Sequence, residues 1–232
     1  IGANIQAALG VPADQIQSSE VILLNFLIDD SGSIRFAGNS DFVRSGVSII
    51  IDALLKTKQK DGILVSITLL NDGTIQPFTP IVSSIRLDSH NYNPSGGTPL
   101  YDKAAESLGA TLAKTQEFSS NGVPVRSITV FITDGNDESS RRQSAASIKP
   151  LAKDMIMSEN HIIAAMGIDD GTTDFKQVFA DMGLRKEWVL TPANNESEIR
   201  KAFEMVSQSA VRASQGGASF SQAAAGGFAG VP

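Results

Sequence analysis

The sequence predicts an α/β domain: a parallel sheet with helices packed on both of its faces. Three observations predict it. Apolar runs of strand length recur at residues 21–28, 63–70 and 127–132, and they lack the in–out alternation of a one-sided strand. Between the runs lie segments whose apolar residues repeat at helical spacing. Strands separated by helices imply parallel pairing through right-handed connections.

Each element can be justified in turn. Residues 1–20 are small and polar, with Ile5, Ala8 and Leu9 on one side of a short helix that Gly10 and Pro12 would end. They are expected to form a segment on the domain surface. The run 21–28 is the first strand, broken only by Asn25, and the loop 29–39 follows it. A helix should begin near Ser40 or Asp41, with Val43, Val47, Ile50 and Leu54 facing the core. The second strand, 63–70, ends at Asn71-Asp72-Gly73, a tight-turn signal leading into a short antiparallel edge strand at 74–78.

Residues 83–97 read as an irregular polar loop, and Pro99 stands at the first position of the next helix, striped by Tyr101, Ala104, Leu108 and Leu112. The strand 127–132 follows, then a polar loop and a helix clearest over 148–158, with Pro150 in its first turn or the helix starting after it. A strand at 162–168 is followed by a short helix around Phe175, Val178, Phe179 and Met182, and by a last strand at 188–190. Asn195 and Glu198 have capping-box spacing before a closing helix buried through Ile199, Phe203, Val206 and Ala210.

The domain is expected to span 21–212, leaving 213–232 as a tail without charge and rich in Gly and Ala. Phe220 and Phe228 are the tail's candidate anchors. They would anchor it to a neighbouring subunit in a homo- or hetero-oligomer; the plainer expectation is a tail that packs on its own domain or makes a crystal contact.

Composition narrows the functions. Of 232 residues, 41 % are hydrophobic, which is enough for a core, and cysteine is absent, so there is no disulfide scaffold or thiolate metal site. Two histidines argue against a His-rich zinc centre, and a net charge of −6 makes nucleic acid a poor partner. No apolar run reaches the roughly 20 residues of a membrane span, and no leader pattern is visible after Ile1. Charge and the lack of cysteine lean toward a cytoplasmic, bacterial-type protein.

The chemistry gathers at strand ends, where functional loops of such sheets lie. Asp29-Asp30-Ser31-Gly32-Ser33 follows the first strand, so Asp29, Ser31 and Ser33 offer one carboxylate and two hydroxyls to a hard cation. Gly96-Gly97-Thr98-Pro99 puts Thr98 at a helix entry, where it either binds the ion or caps the helix. Thr133-Asp134-Gly135 ends the strand 127–132, placing a second carboxylate near Asp29 if the strands adjoin. Two such carboxylates repel one another, and a divalent cation relieves the repulsion.

These five residues, in this order and strand context, resemble the metal-ion-dependent adhesion site (MIDAS) of the von Willebrand factor A (integrin I-like) domain family. The resemblance covers roughly residues 20–212. It implies a Rossmann-like three-layer vWA fold: a mostly parallel six-stranded sheet in the order 3-2-1-4-5-6, with strand 3 antiparallel. It implies a divalent cation held by Asp29, Ser31, Ser33, Thr98 and Asp134, magnesium first, with calcium or manganese as alternatives. It also implies a protein partner whose Asp or Glu completes the coordination, hence binding and not turnover.

Gly32 and Gly97 would let the two loops approach the ion closely. Asp30 is expected to point away and bond locally, and Asp102 to have a supporting role at its helix start. His90 and Tyr92, ahead of Thr98, are expected at the surface or toward the partner. An enzyme, such as a magnesium-dependent phosphohydrolase, is the lesser reading, because no Walker-type segment and no serine–histidine pair is evident. A self-assembling structural subunit, its ion only steadying the loops, is the stronger alternative.

Overall fold

The computed structural model describes residues 2–216 and 226–230. Six strands make one sheet: β1 (Val21–Ile28), β2 (Ile63–Leu69), β3 (Gly73–Pro80), β4 (Val125–Thr133), β5 (His161–Gly167) and β6 (Val189–Leu190). Their order is β3-β2-β1-β4-β5-β6, all parallel except β3, which runs antiparallel to β2. This is the order that the resemblance implies.

Seven helices accompany the strands among the described residues. They are α1 (Gly2–Ala8), α2 (Gly32–Phe36), α3 (Ser40–Leu55), α4 (Leu100–Ser120), α5 (Ala145–Met157), α6 (Phe175–Asp181) and α7 (Glu196–Gln215). On one face of the sheet, Val43, Val47 and Ile50 of α3 and Ile199, Phe203 and Val206 of α7 pack against Leu24, Phe26 and Ile28 of β1. The ring of Phe203 lies 2.2 Å from where a Cβ on Gly46 would stand, so only glycine lets α3 and α7 meet this closely. On the other face, Leu100, Ala104 and Leu108 of α4, Ile148 of α5 and Phe175 and Phe179 of α6 cover Leu27, Phe131 and Ile163. Every residue of β1 is buried, as its unbroken apolar run predicts.

Asn25 is the polar exception in β1, and it has partners. Its amide donates to the Ser107 hydroxyl at 2.7 Å and the Thr111 hydroxyl at 2.9 Å, which pins α4 to the middle of the sheet. A buried amide left unpaired would cost about 1–3 kcal/mol, so α4 is tied to the sheet in one register.

The first residues are docked on the domain. The Val11 N–H donates to the Phe78 carbonyl at 3.0 Å, and the fully buried Lys114 ammonium donates to the Val11 carbonyl. Gly10 has a φ of +64°, and a Cβ there would meet the Phe78 carbonyl oxygen at 2.0 Å, so a side chain is excluded.

Four local expectations change. The five-residue α2 stands where the sequence suggested only a loop. Helix α5 starts at Ala145 behind a Ser144/Ser147 capping box, which puts Pro150 inside it and not in the first turn. Pro150 and Ala146 are both exposed, so water reaches the Ala146 carbonyl that a proline nitrogen cannot pair. Trp188 belongs to a short 3-10 turn ahead of a two-residue β6.

The fourth change concerns Phe228, expected as an assembly anchor. It is buried in its own domain, with its ring edge-on to Trp188 at 5.0 Å between centroids. Its apolar surface is already satisfied there. Phe220 lies outside the described residues.

Candidate functional site

Pairing in the sheet assembles the site. Ile28 stands opposite Ile132 in the β1–β4 register, and the Asp29 N–H extends that ladder to the Ile132 carbonyl at 2.8 Å. Asp29 and Asp134 therefore leave adjacent parallel strands at the same edge. Chain order reverses between these two strands, the point where open α/β sheets form a crevice.

Asp29 is fully buried. Its Oδ1 accepts from the Ser31 N–H at 2.8 Å and its Oδ2 from the Thr133 hydroxyl at 2.6 Å. The Ser31 and Ser33 hydroxyls are 2.9 Å apart, and Ser33 Oγ donates to Asp134 Oδ1 at 2.6 Å. Ser31 stands at the start of α2 but makes no side-chain cap, which leaves its hydroxyl directed to Ser33.

Thr98 lies against the third loop. The Glu138 N–H donates to its carbonyl at 3.1 Å, and its Oγ1 lies 3.8 Å from where a Cβ on Gly135 would be. The α4 cap position is Pro99, so Thr98 does not cap the helix. The second loop also meets the first: the Gly32 N–H donates to the Gly96 carbonyl at 3.1 Å and the Ser95 N–H to the Asp30 carbonyl at 2.6 Å. A Cβ on Gly97 would lie 2.2 Å from the Ser139 hydroxyl, so its lack of a side chain admits the third loop.

Asp30 turns away from the cluster, as expected, but its bonds are not local. It accepts from the Asn71 N–H at 2.8 Å, the Asn71 side-chain amide at 3.0 Å and the Asp72 N–H at 3.2 Å. The Asn71 amide also donates to the Gly97 carbonyl at 2.9 Å, tying the β2–β3 turn to the loop that carries Thr98. Asp102 accepts from the N–H groups of Arg141, Arg142 and Gln143 and fixes the chain beyond Asp134. Burial would raise the Asp102 carboxyl, yet these three amides and Arg142 hold it below its ordinary value.

Tyr92 corrects its expectation. It is fully buried, not surface or partner-facing, and its hydroxyl donates to the Asp29 carbonyl at 2.6 Å. Arg44 of α3 holds it from behind, donating to the Tyr92 carbonyl at 2.6 Å. His90 is exposed, with its N–H on Asp88. Sequence reasoning missed Thr133 and Asn71. Thr133 precedes a recognised aspartate and Asn71 opens a recognised turn, but neither spacing shows the bonds they make.

Burial raises the Asp29 carboxyl, against hydrogen bonds from Ser31 and Thr133. Burial also pushes Asp134 up to about 6, opposed by the Ser33 hydroxyl and reinforced by the charge of Asp29. No basic side chain pairs with either among the described residues. Two buried carboxylates that no basic side chain neutralises, joined through the Ser31 and Ser33 hydroxyls, offer hard oxygens that fit a divalent ion such as Mg²⁺, Mn²⁺ or Ca²⁺. Among the described residues no group of three or more His, Cys, Asp or Glu is placed to hold a metal, so an ion here relies on the hydroxyls.

No protein-family model and no curated protein matches the sequence. Solved structures do match in fold. The chain is similar to the pilus adhesin SpaC from Lactobacillus rhamnosus GG at a TM-score of 0.59 and 12 % identity, over 84 % of this chain and 30 % of that one. It is similar to proximal thread matrix protein 1 from the mussel byssus, solved with a zinc-occupied MIDAS motif, at 0.54 and 17 % identity, over 84 % of this chain and 47 % of that one. It is also similar to the SpRpn10 VWA domain at 0.55 and 12 % identity, over 80 % of this chain and 95 % of that one. The chain thus has the fold of a VWA domain, and it spans less than half the length of the adhesin and the matrix protein. The cytoplasmic assignment is overturned by these likenesses, because a pilus adhesin and a byssal matrix protein work outside the cell. Net charge and absent cysteine carry too little information about compartment to stand against them.

Proposed function

We propose that this chain is a metal-dependent protein-binding module. Asp29, Ser31, Ser33, Thr98 and Asp134 hold one divalent cation, Mg²⁺ first, and an Asp or Glu of a protein partner completes its coordination. The observation that carries this reading is the Ser33–Asp134 hydrogen bond of 2.6 Å, which joins the first and third loops at two buried carboxylates that no basic side chain pairs with among the described residues. When bound, the ion supplies a fixed positive charge and a coordination position for the partner's carboxylate.

The chain's own groups prepare that position. Thr133 and Ser31 orient the Asp29 carboxylate, and Tyr92 holds its main chain from below. Asp30, through Asn71, steadies the loop that presents Thr98. Asp102 steadies the chain after Asp134. His90 is exposed in the loop ahead of Thr98 and is available to a partner.

Binding is preferred to turnover because the two carboxylates are engaged as ligands and no histidine stands beside a serine of the site: His161 pairs with Ser127 inside the sheet. The names of the adhesin and the matrix protein side with that reading. Assembly through the tail is weakened, because Phe228 is consumed by its own core.

The test is calorimetric titration of Mg²⁺, Mn²⁺ and Ca²⁺ into chelator-treated protein. The expected result is one ion per chain, with affinity at least tenfold weaker in Asp134→Ala and in Thr98→Ala. A wild-type chain that binds none of the three ions would remove the proposal.

A further inference from the structure

Helix α2 divides its side chains sharply. Ile34 points into the core and is fully buried, whereas Phe36 is 82 % exposed, more than any other large apolar side chain among the described residues. Its ring is not remote from the cluster. A Cβ on Gly32 would lie 3.3 Å from Phe36 Cε2, so the ring edge rests against the residue between Ser31 and Ser33. The Arg35 guanidinium lies over the same ring, 5.1 Å from its centroid. An aromatic ring held in water next to a site, with a cation stacked on it, is shaped for contact with something outside the chain.

We infer that Phe36 and Arg35 are the specificity-determining half of the partner surface, and that the partner is an extended acidic segment with an apolar residue within two positions of its carboxylate. The inference rests on the metal-bridged reading proposed above and names the kind of partner that reading leaves open. Charge commits the occupant: the Arg35 guanidinium over the ring, together with the cation of the reading proposed above, favours an acidic segment and repels a basic one. Spacing commits the neighbour: an extended chain advances about 3.3 Å per residue and alternates its side chains, so the side chain two positions from the bridging carboxylate faces the same way and comes down beside Phe36. The ring gives that side chain an apolar platform, and Arg35 pairs with further acidic groups at the rim.

The experiment uses a positional library of immobilised peptides with a central Glu and varied flanks. It is probed with the whole chain in Mg²⁺ and in chelator, alongside calorimetry of Mg²⁺ alone. The expected result is Mg²⁺-dependent retention that favours Leu, Ile, Phe, Tyr or Trp within two positions of the Glu. In Phe36→Ser that preference disappears and affinity for the best peptide falls about tenfold, while Mg²⁺ affinity is unchanged. Arg35→Gln weakens the peptides that carry additional acids.

Intact Mg²⁺ binding with a flat flank preference, with no retained peptide, or with a preference that survives Phe36→Ser would overturn this inference. Loss of Mg²⁺ binding by the wild-type chain would instead strike the cation reading beneath it.

Discussion

Ser33 and Asp134 stand 101 positions apart in sequence and 2.6 Å apart in space, hydroxyl to carboxylate. In the ion's absence this bond and a backbone N–H compensate Asp134 for lying buried near Asp29, and they do not suffice to keep the carboxyl in its usual range.

Asp134→Asn should therefore separate binding from stability. The amide keeps an acceptor for Ser33 and drops the charge that burial opposes. Burial pushes the folded Asp134 carboxyl from its ordinary 3.8 up to about 6, so well above pH 6 its charge costs the metal-free fold about 3 kcal/mol. The variant should bind Mg²⁺ at least tenfold more weakly, yet melt no lower than wild type in chelator at pH 7.5. Parallel calorimetry and thermal melts check both halves, and a clearly lower metal-free Tm would contradict the electrostatic account.

Saturating metal should raise the melting temperature. A ligand at about 100 times its Kd adds about 2.7 kcal/mol to a state that alone binds it. For a chain of this size that is roughly 5–10 °C. Excess chelator should reverse the shift, and an unchanged Tm in millimolar Mg²⁺ would show the cluster to be no ion site.

Tyr92→Phe removes one hydroxyl from beneath the site and nothing else. The Asp29 carbonyl loses its 2.6 Å donor in a fully buried position. Stability should fall by about 1 kcal/mol, and Mg²⁺ affinity should weaken by a few-fold as the loop loosens. Denaturant unfolding and calorimetry read the two effects, and an affinity equal to wild type would confine Tyr92 to a role in folding.

His161 makes stability depend on acid. Its ring bonds to the Ser127 hydroxyl inside the sheet, and burial pushes its ionisation down from 6.5 to about 4. Unfolded protein therefore binds the proton first as pH falls. The contribution is whole above pH 6.5, shrinks from there toward pH 4, and amounts to about 3 kcal/mol in total. Urea unfolding of wild type and His161→Gln between pH 7 and pH 4 should show a shallower decline in the variant; parallel declines would assign the acid sensitivity elsewhere.

Phe228→Ala tests where the tail belongs. Loss of the ring packed on Trp188 should cost about 3 kcal/mol and leave the sedimentation behaviour of the native chain as it was. A change in oligomeric state without a loss of stability would return Phe228 to the role of an intermolecular anchor.

Much of this was legible from the residues. Strands covered on both faces announce themselves as unbroken apolar runs, and the sheet follows from their alternation with α3, α4, α5 and α7. The five candidate oxygen donors stood out because they cluster at strand ends and helix starts, where side-chain type is free to report chemistry: Asp29 and Asp134 directly follow β1 and β4, and Ser31, Ser33 and Thr98 lie at or beside the starts of α2 and α4. Other features were hidden for physical reasons. Helix α2 is too short to show a period. Tyr92 lies in a polar stretch, yet is buried because Arg44 and the Asp29 carbonyl satisfy both of its ends. Pro150 sits inside α5 because the carbonyl it strands is exposed. Phe228 is apolar in a tail of Gly and Ala, a composition that says nothing of which surface it reaches.

The clasp of Gly10 and Val11 on Phe78 has a consequence for crowded surroundings. Strand β3 is a border of the sheet, and its free main-chain groups would otherwise be a template for another copy to lengthen the sheet. Prolines at 77 and 80 blunt that border, and the N-terminal segment lies across the Phe78 carbonyl between them. The molecule is thereby built to meet its neighbours through loops and side chains, where recognition is selective, and is shielded from the indiscriminate zippering of backbone to backbone.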